Sequence, residues 1–134
     1  MSMIKVFDVA GSAVSSQSQR LNVVASNLAN ADSVAGPDGQ PYKARHVVFA
    51  TQQTGDPAAA GVRVTGIVTD QTPGRRTFDP KHPMADGEGY VTTSNVNVVE
   101  EMVNMISASR SYQTSVEVMN TAKTLLLKTL TLGS

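Results

Sequence analysis

Apolar residues recur every seven positions at each end of this chain, and the stretch between the two runs cannot continue either of them. Near the N-terminus Phe7, Val14, Leu21 and Leu28 keep the spacing, with Ala10, Gln17, Val24 and Ala31 three positions on. Near the C-terminus Val98, Met105, Tyr112, Met119 and Leu126 keep it. Their companions four positions on are Met102, Val116 and Leu130, a line interrupted by Ser109 and Lys123. A seven-residue period is the a/d spacing of a helix that buries a seam against another helix, and it does not fit strand alternation. At about 1.5 Å per residue, the first run predicts a helix of roughly 40 Å from Ile4 to Ala31. The second predicts one of roughly 50 Å. Asn97 followed by Glu100 fits a capping box, and Glu101 adds charge where the helix dipole favours it. Lys123 and Lys128 lie toward the other end, and Gly133 is a plausible stop.

Residues 33–95 hold eight of the ten glycines and all six prolines, which rules out helix there. SVAGPDGQPY is turn chemistry. ARHVVFATQ and GVRVTGIVTD alternate through Val47/Phe49 and Val62/Val64, as short strands do, and Tyr90 to Thr92 reads as a brief extended piece. The fold expected is therefore mainly α with a small β insert: long N- and C-terminal helices packing as a coiled-coil-like hairpin or bundle around a short β-rich middle. Its segments would be an N-terminal assembly helix over 1–32, a Gly/Pro-rich loop and β region over 33–96, and a C-terminal assembly helix over 97–134.

The chain offers little to catalysis. Eleven basic and eleven acidic residues cancel, and no run of one sign exists to hold nucleic acid or an anionic membrane. With no cysteine, disulfides and thiolate chemistry are excluded. His46 and His82 stand far apart without zinc-ligand spacing. Asp79, Asp86 and Glu88 sit in a Pro/Gly-rich stretch where such residues form turns. Ser12, Ser15, Ser16 and Ser18 lack any nucleophile motif around them. No catalytic residue, metal ligand or cofactor is expected. The N-terminus carries no cleavable secretory pattern, and no segment is apolar enough to span a bilayer.

What remains is association. Two helices this long cannot be covered by a β insert of some sixty residues, so their stripes must meet each other or a neighbouring chain. Both seams are polar in places. In LNVVASNLANADS, residues 21–33, Asn22, Ser26, Asn27, Asn30 and Asp32 crowd an otherwise apolar stripe, although such residues are poor in helix interiors. Polar residues on a heptad seam weaken it alone but specify register in an assembly. The candidate interface is accordingly Phe7, Val14, Leu21, Val24, Asn27, Leu28 and Asn30 on the first helix. On the second it is Val98, Met102, Met105, Tyr112, Val116, Met119, Leu126 and Leu130.

FDVAGSAVSSQSQRLNVVASNLANADS, GPDGQPYKA, DPKHPMADGEGYV and NVNVVEEMVNMISASRSYQTSVEVMNTAKTLLLKTLTLG resemble the bacterial flagellar rod–hook axial proteins, most closely a proximal-rod member. The resemblance spans both ends and fails only around TQQTGDPAAAG. It implies a non-catalytic subunit of the periplasm-crossing rod, whose terminal helices form a tubular inner layer around the export channel. It also implies export by the flagellar type III apparatus without a cleaved signal. The implied partners are further copies of itself, FlgB, FlgF, FlgG, FliE and the MS ring. Ser115, where the family commonly has asparagine, and Lys81-His82 depart from the family pattern. On this reading Asn22, Asn27 and Asn30 would reach neighbouring chains, and Asn27→Ala would weaken incorporation while sparing export. Two other classes stay open: a helical adaptor with one satisfied helix and a single open groove, and a wall-acting enzyme dependent on Asp79, Asp86 or Glu88.

Overall fold

The computed structural model describes residues 3–53 and 55–133. In chain order the elements are α1 (Met3–Ala29), β1 (Arg45–Gln53), β2 (Ala60–Thr69), β3 (Arg76–Phe78), β4 (Tyr90–Thr92) and α2 (Val98–Leu132). The two helices pack against each other, and the insert forms two two-stranded sheets, β1–β2 and β3–β4. The expected class, mainly helical with a β insert, is the one found.

Local chemistry sets the helix ends. The Asn97 side chain accepts the Glu100 amide at 3.1 Å, occupying one of the donors a helix start leaves unpaired. Glu100 and Glu101 fill the first turn of α2. Past Leu132 the Gly133 amide still reaches the Thr129 carbonyl. α1 unwinds through short turns: the amides of Ala31 and Ser33 bond the carbonyls of Leu28 and Asn30, and the Ser33 hydroxyl bonds Asn30 as well. Asn30 itself donates its side chain to the Ser26 carbonyl at 2.9 Å.

β1 and β2 fall where alternation places them, and β4 coincides with the brief extended piece expected at Tyr90 to Thr92. β3 has no counterpart in the sequence reading, because its three residues are all exposed and carry no alternation. Pairing creates it: Arg76, Thr77 and Phe78 lie antiparallel to Thr92, Val91 and Tyr90. Phe78 meets the Tyr90 ring edge-on at 5.3 Å, and the Arg76 guanidinium stacks 4.5 Å from the same ring.

Contacts divide the chain into two compact units, each taking part of both helices and of the insert. One comprises 22–46 and 67–105. Its apolar centre is small: Ala31, Ala44 and Val96, with Tyr42 and Val98 packed on them. Side chains bonded to main chain supply the rest. The buried Ser94 hydroxyl donates to the Ala31 carbonyl at 2.7 Å. Asn95 accepts the Ala44 amide at 2.7 Å and donates to the carbonyls of Asp70 and Thr72.

The turn between β3 and β4 belongs to this unit and is held by Asp86. Its carboxylate accepts the amides of Tyr90 and Glu88, both at 2.9 Å, and Arg76 at 3.1 Å. The Tyr90 amide foremost holds the Asp86 carboxyl below the ordinary carboxylate range. A depressed folded value means the turn keeps this support above about pH 4 and loses it as pH falls through that value. Acid titration followed by NMR is expected to shift the Tyr90 and Glu88 amides together, at a pH below the ordinary carboxylate range. Amide shifts that follow the ordinary carboxylate range would contradict this.

The second unit comprises the described parts of 1–21, 47–66 and 106–134. Here α1 meets the β1–β2 hairpin and the C-terminal part of α2. Gly11 sits opposite Met119, where an added Cβ would lie 3.8 Å from the methionine Cε. Lys5 pairs with Asp56 at 3.0 Å, a partly exposed bridge of small energetic weight.

Candidate assembly interface

Two questions decide what the helices can do: which residues each unit has already buried, and what α1 does with its polar side chains. On α2 the expected line Val98, Met105, Tyr112, Met119 and Leu126 is half-buried throughout. The companion line differs from expectation. The buried residues are Glu101, Ala108 and Ala122, with Ser115 half-buried, three positions on from the first line rather than four. Met102 and Leu130 are 53% and 63% exposed, Ser109 and Val116 are half-buried, and Lys123 is exposed. The reason is steric. Ala108 and Ala122 fit where a long side chain would not and are buried, while Met102 and Leu130 point outward and Val116 is half-buried like Ser115. A reading that ranks seam positions by size inverts that choice.

On α1, Val24 is buried and Val14, Leu21 and Leu28 are half-buried, whereas Phe7 is 39% exposed. Phe7 lines an apolar groove with Met3, Ile4, Ala122 and Leu126.

Asn27 is the main correction. Expected to reach a neighbouring chain, it is 0% exposed, and its amide is saturated within its own unit. Nδ2 donates to the Arg45 carbonyl at 2.8 Å and to Glu101 Oε2 at 3.1 Å. Oδ1 accepts the Arg45 amide at 3.0 Å and the Tyr42 hydroxyl at 2.8 Å. An asparagine side chain has two donor hydrogens and two acceptor lone pairs, and all four are used. Ser26 Oγ accepts the Arg45 guanidinium at 3.0 Å and lies 3.3 Å from the Tyr42 hydroxyl oxygen. Asn30 is half-buried on its own helix, and Asn22 is exposed. Glu101, which sequence reasoning treated as a first-turn charge, closes this cluster and is only 2% exposed. Nothing in the linear sequence ties Tyr42, Arg45 and Glu101 to Asn27; the fold alone brings them together.

The serines of α1 behave alike in the other unit. Ser12 Oγ accepts the Val62 amide at 3.0 Å, and Ser16 Oγ donates to the Val62 carbonyl at 3.3 Å. Gly61 permits this approach, since a Cβ there would lie 2.8 Å from Ser12 Oγ. These hydroxyls are therefore structural, as the lack of a nucleophile motif suggested.

The exposed apolar residues fall on both helices. α1 leaves Ile4 and Phe7 open. α2 leaves Val99, Met102, Val103 and Ile106 on successive turns, then Leu125, Leu127, Leu130 and Leu132 toward its end. A soluble monomer rarely shows apolar side chains in such number along one helix unless they are covered by a partner.

Comparison with known proteins bears on what covers them. Residues 7–37 match a family model described as flagella basal body rod protein. Residues 88–132 match one described as flagellar basal body rod FlgEFG protein C-terminal. Over 133 residues, 99% of either chain, the sequence is 61% identical to the flagellar basal-body rod protein FlgC of Yersinia enterocolitica. It is 57% identical over the same share to the protein of that name from Escherichia coli O6:H1, and 56% to that from Salmonella typhimurium.

Proposed function

Because the chain belongs to the flagellar basal-body rod protein family, and is thus a non-enzymatic structural subunit of the basal body that assembles with other rod components, we propose that its terminal helices are the assembling elements. In this reading they line a tube that crosses the periplasm, transmits torque and surrounds the export channel. The subunit reaches its place through the flagellar type III apparatus with no cleaved signal, and its neighbours are further copies, FlgB, FlgF, FlgG, FliE and the MS ring.

The observation that carries this proposal is the open apolar surface at Val99, Met102, Val103 and Ile106, together with Leu130 and, on the other helix, Ile4 and Phe7. An adaptor would satisfy one helix and keep one groove. Here both helices leave large apolar side chains uncovered, which favours multiple neighbours. Phe7, Met102 and Leu130 remain interface residues in this proposal, while Asn27 does not.

Ile106 is 61% exposed, so a charge there removes little from the monomer, within about 0.5 kcal/mol. Placed in a helix interface, the same charge would be buried unpaired. Ile106→Asp and Leu130→Asp are each expected to leave the urea midpoint of the isolated chain unchanged and to abolish motility, with export into the medium preserved. Normal swimming by both strains would overturn the proposal.

A further inference from the structure

α1 carries polar side chains at Ser12, Ser16 and Asn27 that meet the main chain of the insert in the same way. Ser12 and Ser16, one turn apart, take the N–H and the C=O of Val62 in β2. Asn27 takes the N–H and the C=O of Arg45, the first residue of β1, with one amide. Each is a two-point contact between side chain and the main chain of one residue. A neighbouring strand makes the same contact in a ladder. A two-stranded sheet has two open edges, and unpaired edge groups invite pairing with other chains.

We propose that α1 acts as a polar edge cap for the insert, with Ser12, Ser16 and Asn27 as positioning residues that stand in for a missing strand and fix where β2 and β1 dock. The proposal concerns the isolated chain and holds whichever neighbours the helices meet. It also gives the polar residues of α1 a task that a purely apolar stripe could not perform. A leucine at any of the three positions would leave a main-chain polar group on an edge strand without a partner. Asn27 suits its place for a further reason: an amide carries donor and acceptor on one short stem, as a peptide does, whereas the Val62 site needs two hydroxyls to supply both.

The test is residue-resolved amide hydrogen exchange on the full chain, at a concentration where sedimentation shows a monomer. In the wild type, the amides of Val62 and Arg45 and the Asn27 side-chain NH2 are expected to exchange more slowly than the NH2 of exposed Asn22. Ser12→Ala is expected to speed exchange at Val62 by about 10- to 100-fold and leave Arg45 unchanged. Asn27→Ala is expected to do the reverse. Asn27→Gln keeps the amide but lengthens the stem by one methylene, so it is expected not to restore Arg45 protection. General destabilisation would instead lower protection across a whole unit. A loss spread evenly over the unit, with Val62 or Arg45 exchanging no faster than the rest of it, or full protection of both in the alanine variants, would overturn the proposal. If a variant fails to fold, the wild-type exchange of the Asn27 NH2 still decides: fast exchange, equal to that of Asn22, would sink the cap.

Discussion

Asn27→Asp is expected to cost this chain about 3–5 kcal/mol at neutral pH, the range for a buried charge left without compensation. The side chain hardly changes in volume, so packing is not the issue. What changes is that Nδ2, donor to the Arg45 carbonyl and to Glu101 Oε2, becomes a carboxylate oxygen facing two acceptors. One of them is itself a carboxylate, on a residue that is 2% exposed. Against a total stability of about 5–15 kcal/mol, this would leave the unit formed by 22–46 and 67–105 marginal. Asn27→Ala deletes these two bonds and the two at Oδ1 without adding charge, and is expected to cost less, about 1–3 kcal/mol. The order matters more than either number, because a role in packing alone would make alanine the worse substitution.

Acid supplies the second arm of that experiment. The groups facing the new carboxyl are the Glu101 carboxylate, the Tyr42 hydroxyl and the Arg45 peptide, with the Arg45 guanidinium engaged on Ser26. A carboxylate neighbour and a carbonyl acceptor both favour the protonated form, which regains one donor. The folded-state value is therefore raised. Relative to wild type, the variant is closest to full stability below about pH 4 and loses ground as pH rises through the raised value. Urea unfolding of both proteins across pH 4 to 7, with wild type as control for Glu101, measures this. A deficit that does not change with pH would argue against the amide contacts.

The parts of this fold that were legible in the sequence were those written in periodicity and turn chemistry. The seven-residue lines gave two helices, Asn97 marked the start of one, and Gly and Pro bounded the insert. β3 was not legible, because its three exposed residues become a strand only through pairing with Tyr90 to Thr92. The seam of α2 was half legible. Val98, Met105, Tyr112, Met119 and Leu126 lie on it, but the line that completes it consists of Glu101, Ala108, Ser115 and Ala122, which carry no bulk signal. Ser115 thus falls on the same line as Ala108 and Ala122. The polar stretch around Asn27 was visible as an anomaly, and its meaning was not. Its partners lie 15 to 74 residues away in sequence, and a donor–acceptor match at that range leaves no trace in one chain.

Glycine substitutions offer the second large effect, with a built-in control. A Cβ on Gly74 would overlap the Thr93 carbonyl oxygen, and it would lie 3.2 Å from the carbonyl carbon and 3.3 Å from Thr92 Cγ2. The obstacle is main chain, and that main chain is held. The Thr93 amide bonds the Arg75 carbonyl at 2.7 Å, the Thr92 carbonyl accepts Ala35, and Thr93 bridges to Val34. Asn95, two residues on, clamps Asp70 and Thr72. Moving Thr93 aside would disturb the contact between the end of α1 and the entry to α2. Gly74→Ala is therefore expected to cost about 3 kcal/mol, the upper end for overpacking. Gly66 lies in β2, where an added Cβ would meet nothing within 4 Å and φ is not positive. There Gly→Ala only narrows the unfolded ensemble, and it is expected to stabilise by about 0.4–1 kcal/mol. Opposite signs from one chemical change, read as urea midpoints of the two variants, would show that the close approach at Thr93 sets the cost. Equal effects would mean that the chain at Thr93 yields, and that the clamp from Asn95 is weaker than its hydrogen bonds imply.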